Sequence, residues 1–498
     1  MIEINGKNLS LSDFIRVAEG GEKARLASGT RKELESLRKK VEEKVRSDRP
    51  FYGINTGVGR LAEVKIDREH LKELQLNIVR SHAVGVGPPL SPAEVRGAML
   101  LRANTLARGN SGVRPLVVEK LLEFLEENII PYVPEKGSVG ASGDLAPLAH
   151  IALALIGEGY VLDQGLKVPS AEYLREKGVK PLELEPKEGL SLINGTQVST
   201  SILALALHRA LKLAEAADLI AAMTFEALEG VREEFDKRIW EVRPHPGAKR
   251  VMENLSHYTK NSDLTGGEKK RVQDAYSIRC LPQVHGTVRD SLEFVLQTVE
   301  REMNSATDNP LVFENGDIIS NGNFHGQPVA IAADLLGISL TILSSISERR
   351  TFRMLTPELS GLPAFLAEKS GLNAGLMMLQ VTQAALVSEN KVLSHPASVD
   401  SLPTSGDQED FVSMSMGAAL KARQILANTQ KVLAIEMISA KEALRLRGPE
   451  RAADPVKKLY SALSDVIPPV RKDRFLGEDI ERALKFLNEE IENYLIST

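Results

Sequence analysis

Residues 199–229 run for roughly 31 positions without a glycine or proline, and as one helix they would extend about 46 Å. A helix of that length cannot be buried inside a small domain, so it limits the fold to architectures built on long helices. Three further apolar helices are expected over 287–304, 327–355 and 376–393. Several of these are apolar on more than one face, which calls for burial on several sides. The expected architecture is therefore mainly α, a long-helix bundle whose centre is itself a subunit interface. Abundant Ala and Leu, with aromatic residues at only 4%, agree with helix over sheet. The 498 residues suffice for a deep core without covalent staples. A single cysteine, Cys280, excludes an intramolecular disulfide framework and most cysteine-based metal sites. The net charge of −5 and the lack of a long basic run argue against nucleic-acid or membrane-surface binding. Residues 1–10 have no signal-like pattern, and no apolar run reaches the ~18 residues that span a bilayer. The expectation is a soluble, cytoplasmic protein.

Upstream, helical spacing is read over 11–19, 31–46, 68–81, 92–108 and 115–127. The glycine-containing segments 51–60 and 131–143 are read as loops. An apolar helix follows, with Asp144 in a capping position and Gly157 near its end. Residues 160–189 carry an Asp163-Gln164-Gly165 turn and three prolines, and are read as a hairpin-like excursion near a boundary. The expected division is an N-terminal domain over 1–198 and a C-terminal long-helix bundle over 199–498.

The most informative loop is GSVGASGD, residues 137–144. It lacks the lysine of a phosphate-binding loop and the spacing of a dinucleotide fingerprint. Its centre, Ala141-Ser142-Gly143, has the residue types that a self-cyclising peptide requires. Gly143 has no Cβ to obstruct attack of its nitrogen on the Ala141 carbonyl carbon. Ser142 carries a hydroxyl that can leave as water, and Ala141 is small. The following helix N-terminus favours negative charge developing there.

Eight segments place that triplet in context: FYGINTGVG from Phe51, SHAVGVG from Ser81, GSVGASGDLAPLAH from Gly137, EGLSLINGTQVST from Glu188, QDAYSIRC from Gln273, DNPLVF from Asp308, GNFHGQPVA from Gly322, and SENKVLSHPASVDSLPTSGDQEDFVSM from Ser388. In this order and spacing the chain resembles the histidine/phenylalanine/tyrosine ammonia-lyases. These enzymes are built on a methylidene-imidazolone (MIO) prosthetic group made from an internal Ala-Ser-Gly. The aspartase/fumarase group shares the long-helix bundle, but its Gly-Ser-Ser-x-Met-Pro signature is absent.

The resemblance implies a bundle of the aspartase/ammonia-lyase type with an MIO-bearing N-terminal domain, assembled as a homotetramer with active sites drawn from more than one chain. It implies elimination of ammonia from an aromatic L-amino acid to leave a trans-acrylate. Ala141, Ser142 and Gly143 become the MIO, Tyr52 matches the base on a mobile loop, and Tyr276 is placed with the catalytic groups. Arg279 matches the arginine that binds the α-carboxylate, a task suited to a guanidinium fork. Asn194, Phe324 and Gln327 match residues lining the pocket, and Gln273 is read as a polar wall residue beside them. Ser81-His82 and Glu409 follow the pattern of the family's histidine-acting members, where an imidazole needs polar partners when buried. L-Histidine, converted to trans-urocanate, is thus the expected substrate. Departures from that pattern stand at Leu281, His285, Gly326-Gln327 and along Gly406-Asp407-Gln408-Glu409-Asp410-Phe411. They leave tyrosine or phenylalanine deamination, or an aminomutase outcome, as the alternative. A helical scaffold without catalysis is opposed by the intact triplet, Tyr52 and Arg279. No metal-binding motif is present, and His150 is read as structural.

Overall fold

The computed structural model describes residues 1–45, 49–265 and 271–496. Helix dominates it. The stretch read over 199–229 forms the helix Gln197–Ala227, and Gln327–Leu355 is helical over the range expected. The helix expected over 31–46 is observed as Thr30–Val45, with position 46 outside the described residues.

Three differences from the sequence reading have simple causes. The 33-residue helix Ser415–Arg447 was not anticipated, nor were Asp454–Val466 and Gly477–Glu489. Ser415–Arg447 buries charged residues among its apolar ones, which blurs the pattern in the sequence: Glu436, Lys441 and Glu442 are all buried beside residues such as Leu433 and Ile438. The expected loop 131–143 contains the short strand Pro134–Lys136, paired antiparallel with Val86–Pro89. Helix Gln327–Leu355 contains one stretch long and apolar enough to cross a bilayer, where none was expected. Asp334 interrupts its apolar run without changing its average character, and 72% of that stretch is buried, as in a core helix.

Two compact units form, each from three chain segments. The first comprises Met1–Ala206, Val295–Asp334 and Pro396–Leu420; the second Leu207–Phe294, Leu335–His395 and Lys421–Thr498. Every described strand belongs to the first. Ile2–Ile4 pairs parallel with Ala24–Leu26, and Leu311–Val312 pairs antiparallel with Ile318–Ile319. The expected hairpin is present as Tyr160–Asp163 and Leu166–Pro169, extended by Ile130–Pro131. The first unit is thus rich in turns and short pairings, the setting in which loops are pinned from several sides.

The second unit is helical. Its interior holds an ionic network from four long helices. Arg350 forms a fork with Glu436, at 2.5 Å from Nε and 2.7 Å from Nη2. Glu436 also accepts from Thr224 at 2.8 Å. His285 stands between Arg350 Nη1 at 3.2 Å and Asp218 at 2.8 Å. Arginine has no acceptor, so His285 Nε2 accepts and Nδ1 donates to Asp218. Burial and the Arg350 charge hold this imidazole below its usual range against the pull of Asp218.

Candidate active site

The Tyr52 loop is folded largely by its own side chains. Phe51 and Ile54 pack with Leu37, Val41 and Val312 and fix the backbone on both sides of Tyr52. Phe51 N donates to Asn55 Oδ1 at 2.7 Å, and Gly53 N donates to Thr56 Oγ1 at 3.2 Å. Gln75, fully buried, donates to Gly53 O at 3.3 Å. The Tyr52 phenol oxygen accepts from Gly59 N at 2.9 Å. Burial raises the phenol pKa and the charge of Glu409 adds to it, while the Gly59 N–H opposes them.

The 137–143 loop is held against its neighbours backbone to backbone. Met414 N donates to Val139 O at 2.8 Å, and Ser413 Oγ donates to Gly140 O at 2.9 Å. Gly143 has φ +69°, and a Cβ there would lie 2.2 Å from Gly195 O. Only glycine fits. Asp144 N donates to that same Gly195 oxygen at 2.7 Å. Asp144 stands at the N-cap position, as expected, but its side chain makes no capping bond to its own helix. It turns inward and accepts from Ser199 N at 2.7 Å and Ser199 Oγ at 2.9 Å. Burial raises its carboxyl to about 6 against those hydrogen bonds.

These loops enclose a cavity of about 510 Å³. Tyr52, Ala141, Ser142, Phe324 and Glu409 all line it. Ser142 Oγ donates to Glu409 Oε1 at 2.9 Å, and Thr404 Oγ1 donates to Glu409 Oε2 at 2.6 Å, so the carboxylate is held at both oxygens. Asn309, Asn321, His325, Gln408, Asp410 and Phe411 also line the cavity. The sequence reading did not single out Asn309, His325 or Thr404 as site residues, although the DNPLVF, GNFHG and HPASVDSLPTS segments contain them. His325 Nε2 lies 3.1 Å from Phe411 O, and the two rings stack with centroids 6.1 Å apart.

The other expected site residues do not line the cavity. Asn194 backs it, donating to Asn309 O at 3.2 Å, and its buried Oδ1 has no hydrogen-bond partner among the described residues. Gln327 donates to Ser398 O at 3.2 Å. His82 Nδ1 lies 2.7 Å from Ile78 O and 3.0 Å from Ser81 Oγ at the end of helix Leu71–His82. His150 accepts from Gly85 N at 3.1 Å, a structural contact. Gln273, Tyr276 and Arg279 belong to the second unit. There the Arg279 guanidinium lies over the Tyr276 ring, 4.6 Å from its centroid. Its buried Nε has no hydrogen-bond partner among the described residues, and Tyr276 is 71% exposed.

A long-helix architecture with a glycine-pinned Ala-Ser-Gly beside a phenol and a carboxylate defines a class of lyases. The chain belongs to the aromatic amino acid lyase family, which it matches over residues 9–465. It is 48% identical over 492 residues to the histidine ammonia-lyase of Geobacillus thermodenitrificans (strain NG80-2), covering 98% of each chain. It is 49% identical over 498 residues to the histidine ammonia-lyase of Anaeromyxobacter dehalogenans (strain 2CP-C), again covering 98% of each. Among solved structures it is similar to tyrosine aminomutase from Streptomyces globisporus, with a TM-score of 0.95 and 37% identity over 100% of this chain and 99% of that one. The histidine ammonia-lyase of Trypanosoma cruzi superposes with a TM-score of 0.92 and 39% identity, covering 100% and 96%. The fold is mainly α, of the aspartase/ammonia-lyase type.

Proposed function

We propose that the protein is a cytoplasmic, homotetrameric histidine ammonia-lyase that converts L-histidine to trans-urocanate and ammonia. The observation that carries the reading is the Ser142–Glu409 contact at 2.9 Å inside the cavity. A fixed carboxylate beside the reactive triplet is the partner that an imidazole N–H requires when buried. Near-full-length identity of 48–49% to histidine ammonia-lyases supports the same substrate.

The residues present fit an MIO. Gly143 occupies a position where no Cβ fits, Ala141 is small and nearly buried, and the Ser142 hydroxyl has a defined partner. Once formed from Ala141-Ser142-Gly143, the group supplies an electrophile that makes the substrate's amine a better leaving group. Tyr52 takes the β-proton, and its raised pKa makes the phenolate a stronger base than an ordinary tyrosinate. Arg279, free of protein hydrogen bonds at its buried Nε, anchors the α-carboxylate with Tyr276 and Gln273, brought to the cavity by another copy of the chain. Ser81-His82, Asn194, Phe324 and Gln327 shape the ring and amine environment, and Glu409 holds the imidazole.

Near-ultraviolet assays of purified protein against L-histidine, L-tyrosine and L-phenylalanine test the reading, because each product is a conjugated acrylate. Turnover of histidine alone is expected. Turnover of tyrosine or phenylalanine instead overturns the substrate, and β-amino acid product overturns the lyase outcome. Ser142→Ala is expected to lose both activity and the mass deficit of two waters; full turnover in that variant overturns the prosthetic group.

A further inference from the structure

Behind the reactive triplet lies a buried polar column that substrate binding does not use. Arg102, on the helix Pro92–Ala107, is 1% exposed. Its Nη1 donates to Asn194 O at 2.9 Å and to Gln197 Oε1 at 2.8 Å. Gln197 Nε2 in turn donates to Thr307 Oγ1 at 2.6 Å and Thr105 Oγ1 at 3.1 Å. The Arg102 Nε and Nη2 atoms are buried without hydrogen-bond partners among the described residues. Burial lowers this guanidinium to about 10, with the Asp308 charge opposing. A buried, half-satisfied cation is a costly way to fill space, so its placement calls for a reason.

The reason lies in what it touches. A Cβ on Gly195 would meet Arg102 Nη1 at 2.4 Å, and Thr307 O and Gln197 Oε1 at 2.5 Å each. The carbonyl of Gly195 presses on Gly143 and binds Asp144 N at 2.7 Å. Gly195 is therefore clamped between Arg102, which holds the carbonyl before it, and the Gly143–Asp144 peptide, which meets its own carbonyl.

We propose that Arg102, with Gln197, is a positioning residue for the covalent maturation of Ala141-Ser142-Gly143: by holding the Asn194 carbonyl it keeps the following Gly195 carbonyl against Gly143, so that the Gly143 nitrogen meets the Ala141 carbonyl carbon. The inference rests on the prosthetic-group reading above. In the first step a C–N bond forms between Gly143 N and Ala141 C. The Ala141 carbonyl oxygen leaves as water with the amide protons of Gly143 and Ser142, and Ala141 C becomes doubly bonded to Ser142 N. In the second step the Ser142 Cα proton and hydroxyl leave as another water, and a Cα=Cβ bond forms. Arg102 acts on the first step through geometry alone and exchanges no proton.

Intact mass followed over time after synthesis of the full chain tests the proposal on the folded, size-selected fraction. The unmodified sequence is expected to lose two waters. Arg102→Met is expected to lose them at least tenfold more slowly, with Arg102→Lys partly restoring the rate. Gln197→Met, which removes the amide oxygen holding the same Nη1, is expected to slow the loss severalfold and carries the test if Arg102→Met yields no folded chain. Arg96→Met is the control: Arg96 is a buried arginine on the same helix, bound to Val17 O and Leu125 O, away from Gly195. It is expected to mature at the unmodified rate. Unmodified maturation in folded Arg102→Met or Gln197→Met overturns the proposal, as does equal slowing in Arg96→Met. An unmodified chain that never loses water overturns the prosthetic-group reading itself.

Discussion

Two buried polar clusters, one in each compact unit, are satisfied to different degrees. In the second unit, Arg350, Glu436, His285 and Asp218 hold one another in a closed network, and Asp218 also accepts from Arg289 and Asn254. In the first, Arg102 leaves two nitrogens unpartnered and Asn194 leaves its oxygen unpartnered, close behind a cavity. Closed networks specify how helices pack. Open ones keep polar capacity in reserve where a loop or a ligand has to be held, and such strain gathers at functional sites.

Four substitutions sharpen or break this contrast. The largest effect is expected at the cavity: Tyr52→Phe keeps the ring and its packing but removes the phenol oxygen. It should lower kcat by about 10²–10⁴-fold, the usual worth of a positioned general base, with a stability loss of only about 1 kcal/mol from the missing Gly59 hydrogen bond. A kcat within a factor of two of the unmodified protein would remove Tyr52 from the chemistry.

Next comes the closed network. Arg350→Met leaves the buried Glu436 carboxyl without its fork, and should cost about 3–5 kcal/mol of stability by urea unfolding. A loss under about 1 kcal/mol would show that the network contributes little to the packing of the second unit.

Third is a pH test in the same unit. Glu226, fully buried, accepts from Ala453 N at 3.0 Å, and burial raises its carboxyl from 4.5 to about 7. Between those values the folded state binds the proton that the unfolded state has released, so this group's contribution falls as pH rises through the window. The decline amounts to about 3 kcal/mol by neutrality. Glu226→Gln keeps an acceptor and should flatten that part of the stability profile, between pH 4.5 and about 7. An identical slope in both proteins would exclude Glu226 as its source.

The smallest effect belongs to a surface cap in the first unit. Ser91 and Glu94 form a reciprocal capping box at the start of helix Pro92–Ala107. Ser91→Ala should cost about 1 kcal/mol by thermal or urea unfolding and leave kcat untouched. A change in kcat would mean that this helix end reaches the cavity through Arg102.

Legibility in the sequence follows the same divide. Helix Gln327–Leu355 was readable because an apolar composition and a C-terminal basic cluster mark it. Ser415–Arg447 was not, because its buried Lys441–Glu442 and Glu436 pairs look like solvated residues when only types are counted. At the cavity, Tyr52, Ser142, Phe324 and Glu409 sit in continuous motifs, and the fold brings them together. Thr404 and Asn309 act through a single hydroxyl or carbonyl, a role set by three-dimensional placement. Arg102 reads as one more charge on a helix; only the Gly195 contact reveals what it does. The N-cap position of Asp144 was legible, but residue type cannot tell whether its carboxylate turns toward its own helix or toward Ser199.

The bond between the Tyr52 phenol and Gly59 N joins two residues of one short loop, and the Phe51–Asn55 and Gly53–Thr56 contacts lie within it as well. The aim of the phenol is thus set within the loop, while Leu37, Val41, Val312 and Gln75 hold the loop in place. A rigid-body displacement of residues 51–59 would carry the oxygen along with its hydrogen-bond donor unchanged. The segment behaves as a transferable cassette: spliced into a relative with a different ring pocket, it should bring the same reactivity while the host dictates which amino acid is accepted.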